Sequence, residues 1–305
     1  MGVSGESVLA GIAATGLDPE MVIDVVARAL DEDLGDGPDV TAAATIAAST
    51  LGSADAVPRA AGVLAGMPVA AYVFEVAGSG RLRVDPGVAD GAAVLPGQVV
   101  LTVRGPVRDI VTAERTALNL LCHLSGIATV TRAWVDAVAG TGAKIRDTRK
   151  TLPGLRALEK YAVRCGGGVN HRMSLSDAAL VKDNHIVAAG SAAKAFELVR
   201  AAAPGVPIEV EVDTIAQARE VVDAGAEFVL LDNMSLDDMR VAVEYARAHG
   251  VRTEASGGLT LDRARAVAET GVDFLAVGAL THSAPVLDIG LDMVSGRQAR
   301  RTECC

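Results

Sequence analysis

Aromatic residues are scarce in this chain. One Trp, three Tyr and four Phe make up 3% of 305 residues, although half of the chain is hydrophobic. The core must then be built from Ala, Val, Leu and Ile, which suits parallel sheets covered by helices. Positive charge is in deficit as well. A formal net charge of −10, with no basic stripe interleaved with aromatics, argues against nucleic acid as a partner. No apolar run is long enough to span a bilayer, so no membrane partner is expected. The first residues, Met1-Gly-Val-Ser-Gly-Glu6, lack a basic region ahead of an apolar one, and no signal peptide is expected. The four cysteines form no C-x-x-C pair. Cys122 and Cys165 read as small core residues, while Cys304 and Cys305 end a polar tail, 297–305, expected to be disordered. This is the composition of a reduced, soluble, cytoplasmic protein.

Familiar catalytic signatures are missing too. There is no P-loop, no dinucleotide fingerprint (Gly140-Thr-Gly142 lacks the third glycine), no Gly-x-Ser-x-Gly elbow and no zinc spacing. His123, His249 and His282 read as surface or packing residues, with His171 and His185 the better candidates. Without a nucleophile paired to a base, the expected chemistry relies on positioning and electrostatics, as in transfer of a group from a phosphorylated sugar.

Against this acidic background, Lys144, Arg146, Arg149, Lys150, Arg156, Lys160, Arg164, Arg172 and Lys182 all fall between Lys144 and His185. Arg156, Lys160 and Arg164 recur at helical spacing and read as a solvated face. Arg149, Lys150, Arg172 and Lys182 do not. They stand where loops leave apolar runs, beside Gly, Thr, Asn or His. Like charges gathered at such places point to a small polyanion that neutralises them.

From about residue 200 the chain keeps a regular beat. Strands are predicted at Pro207–Asp213, Phe228–Asp232, Arg252–Ser256 and Phe274–Gly278, starting 21, 24 and 22 residues apart. Thr214 and Ser235 are the expected caps of the intervening helices, and a third helix is expected over Thr260–Glu269. Ala143–Thr148 and Ala179–Asp183 supply two more strands. Six parallel strands with crossover helices give either an open doubly wound sheet or a β/α barrel. Polar residues end nearly every strand: Arg149 and Lys150, Lys182, Glu211 and Asp213, Asp232 and Asn233, Ser256-Gly257-Gly258, and Gly278-Ala279. A barrel would bring all of them to one mouth, whereas a crevice in an open sheet would use two or three. The glycine-rich ends present backbone amides suited to a phosphate.

The N-terminal third lacks this beat. Arg81–Asp85 and Gln98–Arg104 read as short strands between Asp-Pro-Gly and Leu-Pro-Gly turns, and Met67–Val76 as a helix. A long apolar helix from Ile110 to Ala139, interrupted near Ser125-Gly126, leads into the second region, and the strip Val286–Met293 is expected to pack back on the first.

Several runs together resemble the quinolinate phosphoribosyltransferases, the carboxylating nicotinate-nucleotide pyrophosphorylases. They include Glu32-Asp-Leu-Gly-Asp-Gly-Pro-Asp-Val-Thr41, Glu114-Arg-Thr-Ala-Leu-Asn-Leu-Leu-Cys-His-Leu-Ser-Gly-Ile-Ala128 and Asp147-Thr-Arg-Lys-Thr-Leu-Pro-Gly154. Further on come Gly166-Gly-Gly-Val-Asn-His-Arg172, Val181-Lys-Asp-Asn-His185, Glu209-Val-Glu-Val-Asp213, Leu231-Asp-Asn233 and Glu254-Ala-Ser-Gly-Gly258. The similarity spans roughly residues 20 to 294. It implies an α/β fold: an N-terminal α/β domain of the α+β type over 1–125, joined by 283–296, beside an open, incomplete β/α barrel over 126–282. It implies phosphoribosyl transfer from phosphoribosyl pyrophosphate to quinolinate with decarboxylation, with Mg2+, in a homodimer with shared active sites. Carried over by position, Arg149, Arg172 and Lys182 would clamp quinolinate beside Thr148 and His171, with Arg115 supplied by the partner subunit. Lys150, Glu211 and Asp232 would be catalytic and face phosphoribosyl pyrophosphate, the two carboxylates also serving magnesium. Ser256, Gly257, Gly258, Val277, Gly278 and Ala279 would hold the 5′-phosphate. Two other readings compete: a paralogous pyrophosphorylase associated with molybdate transport, and a non-catalytic phosphosugar-binding barrel.

Overall fold

The structure is a computed structural model that describes residues 5–294, and the chain divides into two compact units. The first takes the residues up to Val130, then Pro153–Gly166, then those from Ala284; the second takes Thr131–Leu152 and Gly167–Ser283. The stretch 153–166, read from sequence as part of the barrel region, thus clusters with the first unit. The expected tail, 297–305, lies outside the described residues.

In the first unit, strands β1 (Leu51–Pro58), β3 (Arg83–Pro86) and β5 (Leu101–Pro106) form an antiparallel sheet with β5 in the middle, and β2 (Gly62–Val63) pairs with β4 (Ala93–Val94). Strand β1 was not apparent from the sequence; its Ala54, Ala56 and Val57 are buried. Helix Pro19–Leu34 begins where the Asp18 side chain accepts from Glu20 N–H, and buries Val22, Val25, Val26 and Leu30 at helical spacing.

One 31-residue helix, Val107–Ala137, replaces the interrupted helix expected near Ser125-Gly126. Neither residue breaks it. The Ser125 hydroxyl is buried and occupied by the backbone of Ala65, accepting from its N–H at 3.0 Å and donating to its carbonyl at 3.2 Å. Gly126 lets the returning chain pass, since a Cβ there would stand 2.1 Å from the Pro285 carbonyl oxygen. A second correction concerns the basic face. Arg164 is exposed, but Lys160 is fully buried, as is Glu159, which meets His123 Nε2 at 2.9 Å.

The second unit carries β6 (Lys144–Arg146), β7 (Ala179–Val181), β8 (Ile208–Val212), β9 (Phe228–Asp232), β10 (Arg252–Ser256) and β11 (Phe274–Ala276). They form one parallel sheet in the order β6-β11-β10-β9-β8-β7. Thr214 and Ser235 cap their helices as predicted, whereas the third helix is a single 3-10 turn, Leu261–Arg263, followed by Ala264–Ala268. β6 and β7 are the edges and do not pair, so the sheet is not closed. Residues following both edge strands nevertheless line one cavity, so the sheet bends around it. The apolar strip near the C-terminus returns to the first unit as β12 (Ile289–Met293), antiparallel to β1.

Candidate active site

Alternation along a strand sends every second side chain inward. On β8, Glu209 and Glu211 face one way while Val210 and Val212 are buried on the other. The same parity places Leu180 before Lys182, Leu230 before Asp232, and Glu254 before Ser256. Strand-end residues therefore form the mouth of the sheet and the residues two positions earlier form its floor. A cavity of about 580 Å³ opens there. Thr148, Arg149, Lys150, His171, Arg172 and Lys182 line it from one part of the chain, and Glu211, Asp232, Ser256, Gly257 and Gly258 from another, above Leu180, Leu230, Glu254 and Ala276.

Four cations, Arg149, Lys150, Arg172 and Lys182, share this space with two carboxylates at the mouth, Glu211 and Asp232. Lys182 meets Glu211 in an ion pair. Arg172 donates to the Ala178 carbonyl at 2.8 Å, and burial together with neighbouring Arg149 pushes its guanidinium below the ordinary value. Arg149 Nε is buried without a hydrogen-bond partner. A buried donor left unmatched, beside Arg172 and Lys182, fits an anion with more than one carboxylate. Lys150 is exposed, and its backbone is pinned on both sides. Its N–H donates to Thr148 Oγ1 at 3.0 Å, and its carbonyl accepts from Thr281 Oγ1 at 2.7 Å. Thr281 carried no signal in the sequence.

Val277, Gly278 and Ala279 do not line the cavity. Gly278 instead makes room for Lys150, because a Cβ there would lie 2.9 Å from Lys150 Cδ. Val277 is buried and donates to the Arg146 carbonyl. The Ser256-Gly257-Gly258 turn does line the cavity, and Gly257 is required in it. Gly257 has φ +88° and a Cβ on it would stand 2.3 Å from Asn233 Oδ1 and 2.8 Å from Asn233 N. Asn233 itself has φ 53° and donates its N–H to Ser256 at 3.1 Å, so the two turns interlock. Gly257→Ala is expected to cost about 1–3 kcal/mol in a denaturant titration. An unchanged unfolding midpoint would show that this loop tolerates a side chain.

Beneath the mouth lies a buried polar cluster. His171 Nε2 is 3.0 Å from Glu209 Oε2 and 3.6 Å from Glu254 Oε1, and Arg146 NH1 is 2.7 Å from Glu254 Oε2 and 4.0 Å from Glu209 Oε2. Arg146 also stands 5.2 and 5.1 Å from the ring centres of Phe228 and Phe274. Burial, opposed by Arg146, pushes the Glu209 and Glu254 carboxyls up to about 7. Sequence reading missed Glu209 and Glu254 as members of a site, although a charge two residues before a strand-end polar residue is the signal that would have found them.

The chain matches the quinolinate phosphoribosyl transferase N-terminal domain over residues 39–125 and the C-terminal domain over residues 127–292. It is 57% identical over 273 residues to the carboxylating nicotinate-nucleotide pyrophosphorylase of Mycobacterium leprae, covering 88% of this chain and 96% of that one. It belongs to the quinolinate phosphoribosyltransferase family. Solved structures of similar proteins agree with its fold. NadC from Streptococcus pyogenes superposes with a TM-score of 0.86 at 40% identity, covering 92% of this chain and 99% of that one. The nicotinate-nucleotide pyrophosphorylase from Francisella tularensis gives 0.87 at 37% identity, covering 91% and 98%.

In this quinolinate phosphoribosyltransferase family member, Arg115 belongs to the first unit, where it is exposed and lines a separate cavity with Asp33, Asp39 and Thr112. Leu118, Leu120, Leu121 and Leu124, the apolar neighbours of Arg115 on its helix, are all buried within the single chain. Their burial leaves them unavailable as a subunit interface. Asp213 is exposed and off the cavity, and His185 caps the helix Asp183–Ala189, its Nδ1 accepting from Lys182 N–H at 2.9 Å. Among the described residues no helix is long and apolar enough to cross a membrane.

Proposed function

We propose that this chain transfers the phosphoribosyl group of phosphoribosyl pyrophosphate to quinolinate, releasing pyrophosphate and carbon dioxide and leaving nicotinate mononucleotide, as a step of NAD biosynthesis in the cytoplasm. The observation that carries this reading is a single cavity holding Arg149, Arg172 and Lys182 together with Glu211, Asp232 and the Ser256-Gly257-Gly258 turn. Arg149, Arg172 and Lys182 take the two carboxylates of quinolinate, with Thr148 and His171 beside the ring. The turn offers backbone N–H groups to the 5′-phosphate. Glu211 and Asp232 hold ribose hydroxyls.

These two carboxylates, on the ends of adjacent strands β8 and β9, also suit magnesium, a hard cation that is bound through one or two carboxylates together with substrate phosphates. When bound there, magnesium would offset pyrophosphate charge. Lys182 already meets Glu211, so a substrate carboxylate that takes over Lys182 releases Glu211 for the ribose. Once the pyridine nitrogen is quaternised, the C–CO2 bond electrons are drawn into the ring, and the protein need only hold the ring and exclude water. Incubation with quinolinate, phosphoribosyl pyrophosphate and magnesium should yield nicotinate mononucleotide and carbon dioxide in equal amounts. Binding of both substrates without product would leave a phosphosugar-binding protein instead.

The working enzyme in this reading is a homodimer in which Arg115 of the partner subunit reaches the quinolinate end of each site. Exposure of Arg115 supports it; the neighbouring leucines do not. A two-fold dimer has two equivalent hybrid sites. Mixing inactive Arg115→Ala subunits with inactive Lys150→Ala subunits should restore activity approaching one intact site per mixed dimer. Mixed dimers as inactive as their parents would assign Arg115 to its own subunit.

A further inference from the structure

A carboxylate on the buried inner face of a parallel strand is costly unless it is matched by a specific partner. Glu209 is 5% exposed and does not line the cavity that holds Lys182 and Glu211; it faces a smaller one, of about 330 Å³, with Arg146, Phe228 and Phe274. Its Oε2 meets His171 Nε2 at 3.0 Å. On the other side of that ring, Nδ1 accepts the backbone N–H of Arg172 at 2.7 Å. An imidazole nitrogen that accepts an N–H carries no proton, so the ring proton sits on Nε2 and points at Glu209. Three further bonds hold the segment. His171 N–H donates to Asp147 Oδ1 at 2.8 Å, Asn170 Nδ2 donates to Asp147 Oδ2 at 2.5 Å, and the Arg172 guanidinium donates to the Ala178 carbonyl.

We infer that Glu209 is a positioning residue for quinolinate: by accepting a hydrogen bond from His171 Nε2–H it fixes the tautomer whose Nδ1 holds the Arg172 backbone, and so aims Arg172 at a substrate carboxylate. This rests on the function proposed above and adds a role for a group that does not line the substrate cavity. The same geometry disposes of the competing idea of a metal site. Ligand atoms of His171, Glu209 and Glu254 do lie within 4.8 Å of one another. Ligation through Nε2 would move the ring proton to Nδ1, directly against the Arg172 N–H. Arg146, 2.7 Å from Glu254, already supplies the cluster with a positive charge. Glu209 Oε1 and Glu254 Oε1 are buried without a hydrogen-bond partner, but the ring N–H and Arg146 already serve the other two oxygens, and Nε2, which carries the ring proton, is closed to a cation.

The test compares Glu209→Gln, whose amide oxygen still accepts a hydrogen bond, with Glu209→Leu, which cannot. With only five histidines in the chain, 15N labelling and two-bond 1H–15N correlation spectra of the full-length protein resolve the His171 tautomer without substrate. Wild type and Glu209→Gln are expected to show Nε2–H, with KM for quinolinate within about threefold of each other. Glu209→Leu is expected to populate Nδ1–H and raise the quinolinate KM about tenfold, the size of one lost hydrogen bond, while the KM for phosphoribosyl pyrophosphate stays within about twofold. If Glu209→Leu does not fold, Glu209→Asp withdraws the carboxylate by one methylene and should give a mixed tautomer and an intermediate KM.

A retained Nε2–H tautomer with wild-type quinolinate KM in the Leu variant, or in the Asp variant where that stands in, overturns the inference. So does an equal rise in both KM values, which marks a merely structural role. A wild-type protein that forms no nicotinate mononucleotide sinks the proposed function instead, and leaves the tautomer measurement standing.

Discussion

Lys150→Ala is expected to lower kcat about 100- to 1000-fold, the usual loss for a group that acts mainly in the transition state. The KM for quinolinate should move less than about threefold. Ribosyl transfer breaks the bond from the anomeric carbon to pyrophosphate, so positive charge grows on the sugar and negative charge on the leaving group. A cation beside the leaving group gains more from the transition state than from the bound substrate, which is the kind of binding that raises kcat. One such contact at about 4 Å and an effective dielectric near 20 has a ceiling of about 4 kcal/mol before desolvation is subtracted.

Lys150 is well placed for this task. Among the described residues no ion pair occupies its ammonium, in contrast to Lys182 with Glu211. Its backbone is fixed by Thr148 and Thr281 while its side chain passes over Gly278. Single-turnover kinetics with saturating substrates would isolate the chemical step. Near-normal turnover combined with weaker binding of phosphoribosyl pyrophosphate would make Lys150 a ground-state recognition residue.

The parts legible in the sequence were those whose signal is local. Phe228–Asp232 is buried on both faces, so it appears as an apolar run of strand length, and Thr214 and Ser235 mark helix starts by their own chemistry. The ends of the regularly spaced strands lead directly to Lys182, Glu211, Asp232 and Ser256 at the cavity. What escaped depends on contacts far along the chain. Gly126 is a passage for Pro285, 159 residues away, and looked like a helix break only because that neighbour is invisible locally. Lys160 follows the spacing of a solvated face, yet six consecutive residues from Leu158 to Val163 are buried, which no single-helix pattern indicates. Glu209 and Glu254 stand two residues before the strand-end Glu211 and Ser256, and the same period of two places both glutamates on the inner face. Gly278 was expected to hold phosphate by its place after a strand; it does not line the cavity, and a Cβ there would crowd the Lys150 side chain. Position at a strand end tells which residues reach the mouth, not what each one touches there.

Nicotinate should be a poor substitute for quinolinate, with kcat/KM lower by about 100-fold or more. Arg149, Arg172 and Lys182 stand around one cavity, and Arg149 Nε is buried without a partner. One carboxylate cannot satisfy all of them. Leaving a buried cation without its counter-charge costs about 3–5 kcal/mol. The Lys182 side chain keeps 45% of its exposure and part of its hydration, which puts the effect at the lower end, about 3 kcal/mol, or roughly two decades in specificity. A second effect acts in the same direction. If the missing carboxylate is the one that draws Lys182 away, Lys182 remains on Glu211, and Glu211 is not released to hold the ribose. The penalty should therefore fall on turnover as well as on binding, and phosphoribosyl pyrophosphate should bind more weakly alongside nicotinate than alongside quinolinate. Initial rates with each acid over a range of phosphoribosyl pyrophosphate concentrations measure both effects. Comparable kcat/KM for the two acids would show that the three cations do not act as a dicarboxylate clamp. A nicotinate defect confined to its own KM, with turnover and phosphoribosyl pyrophosphate binding unchanged, would keep the clamp but uncouple it from Glu211.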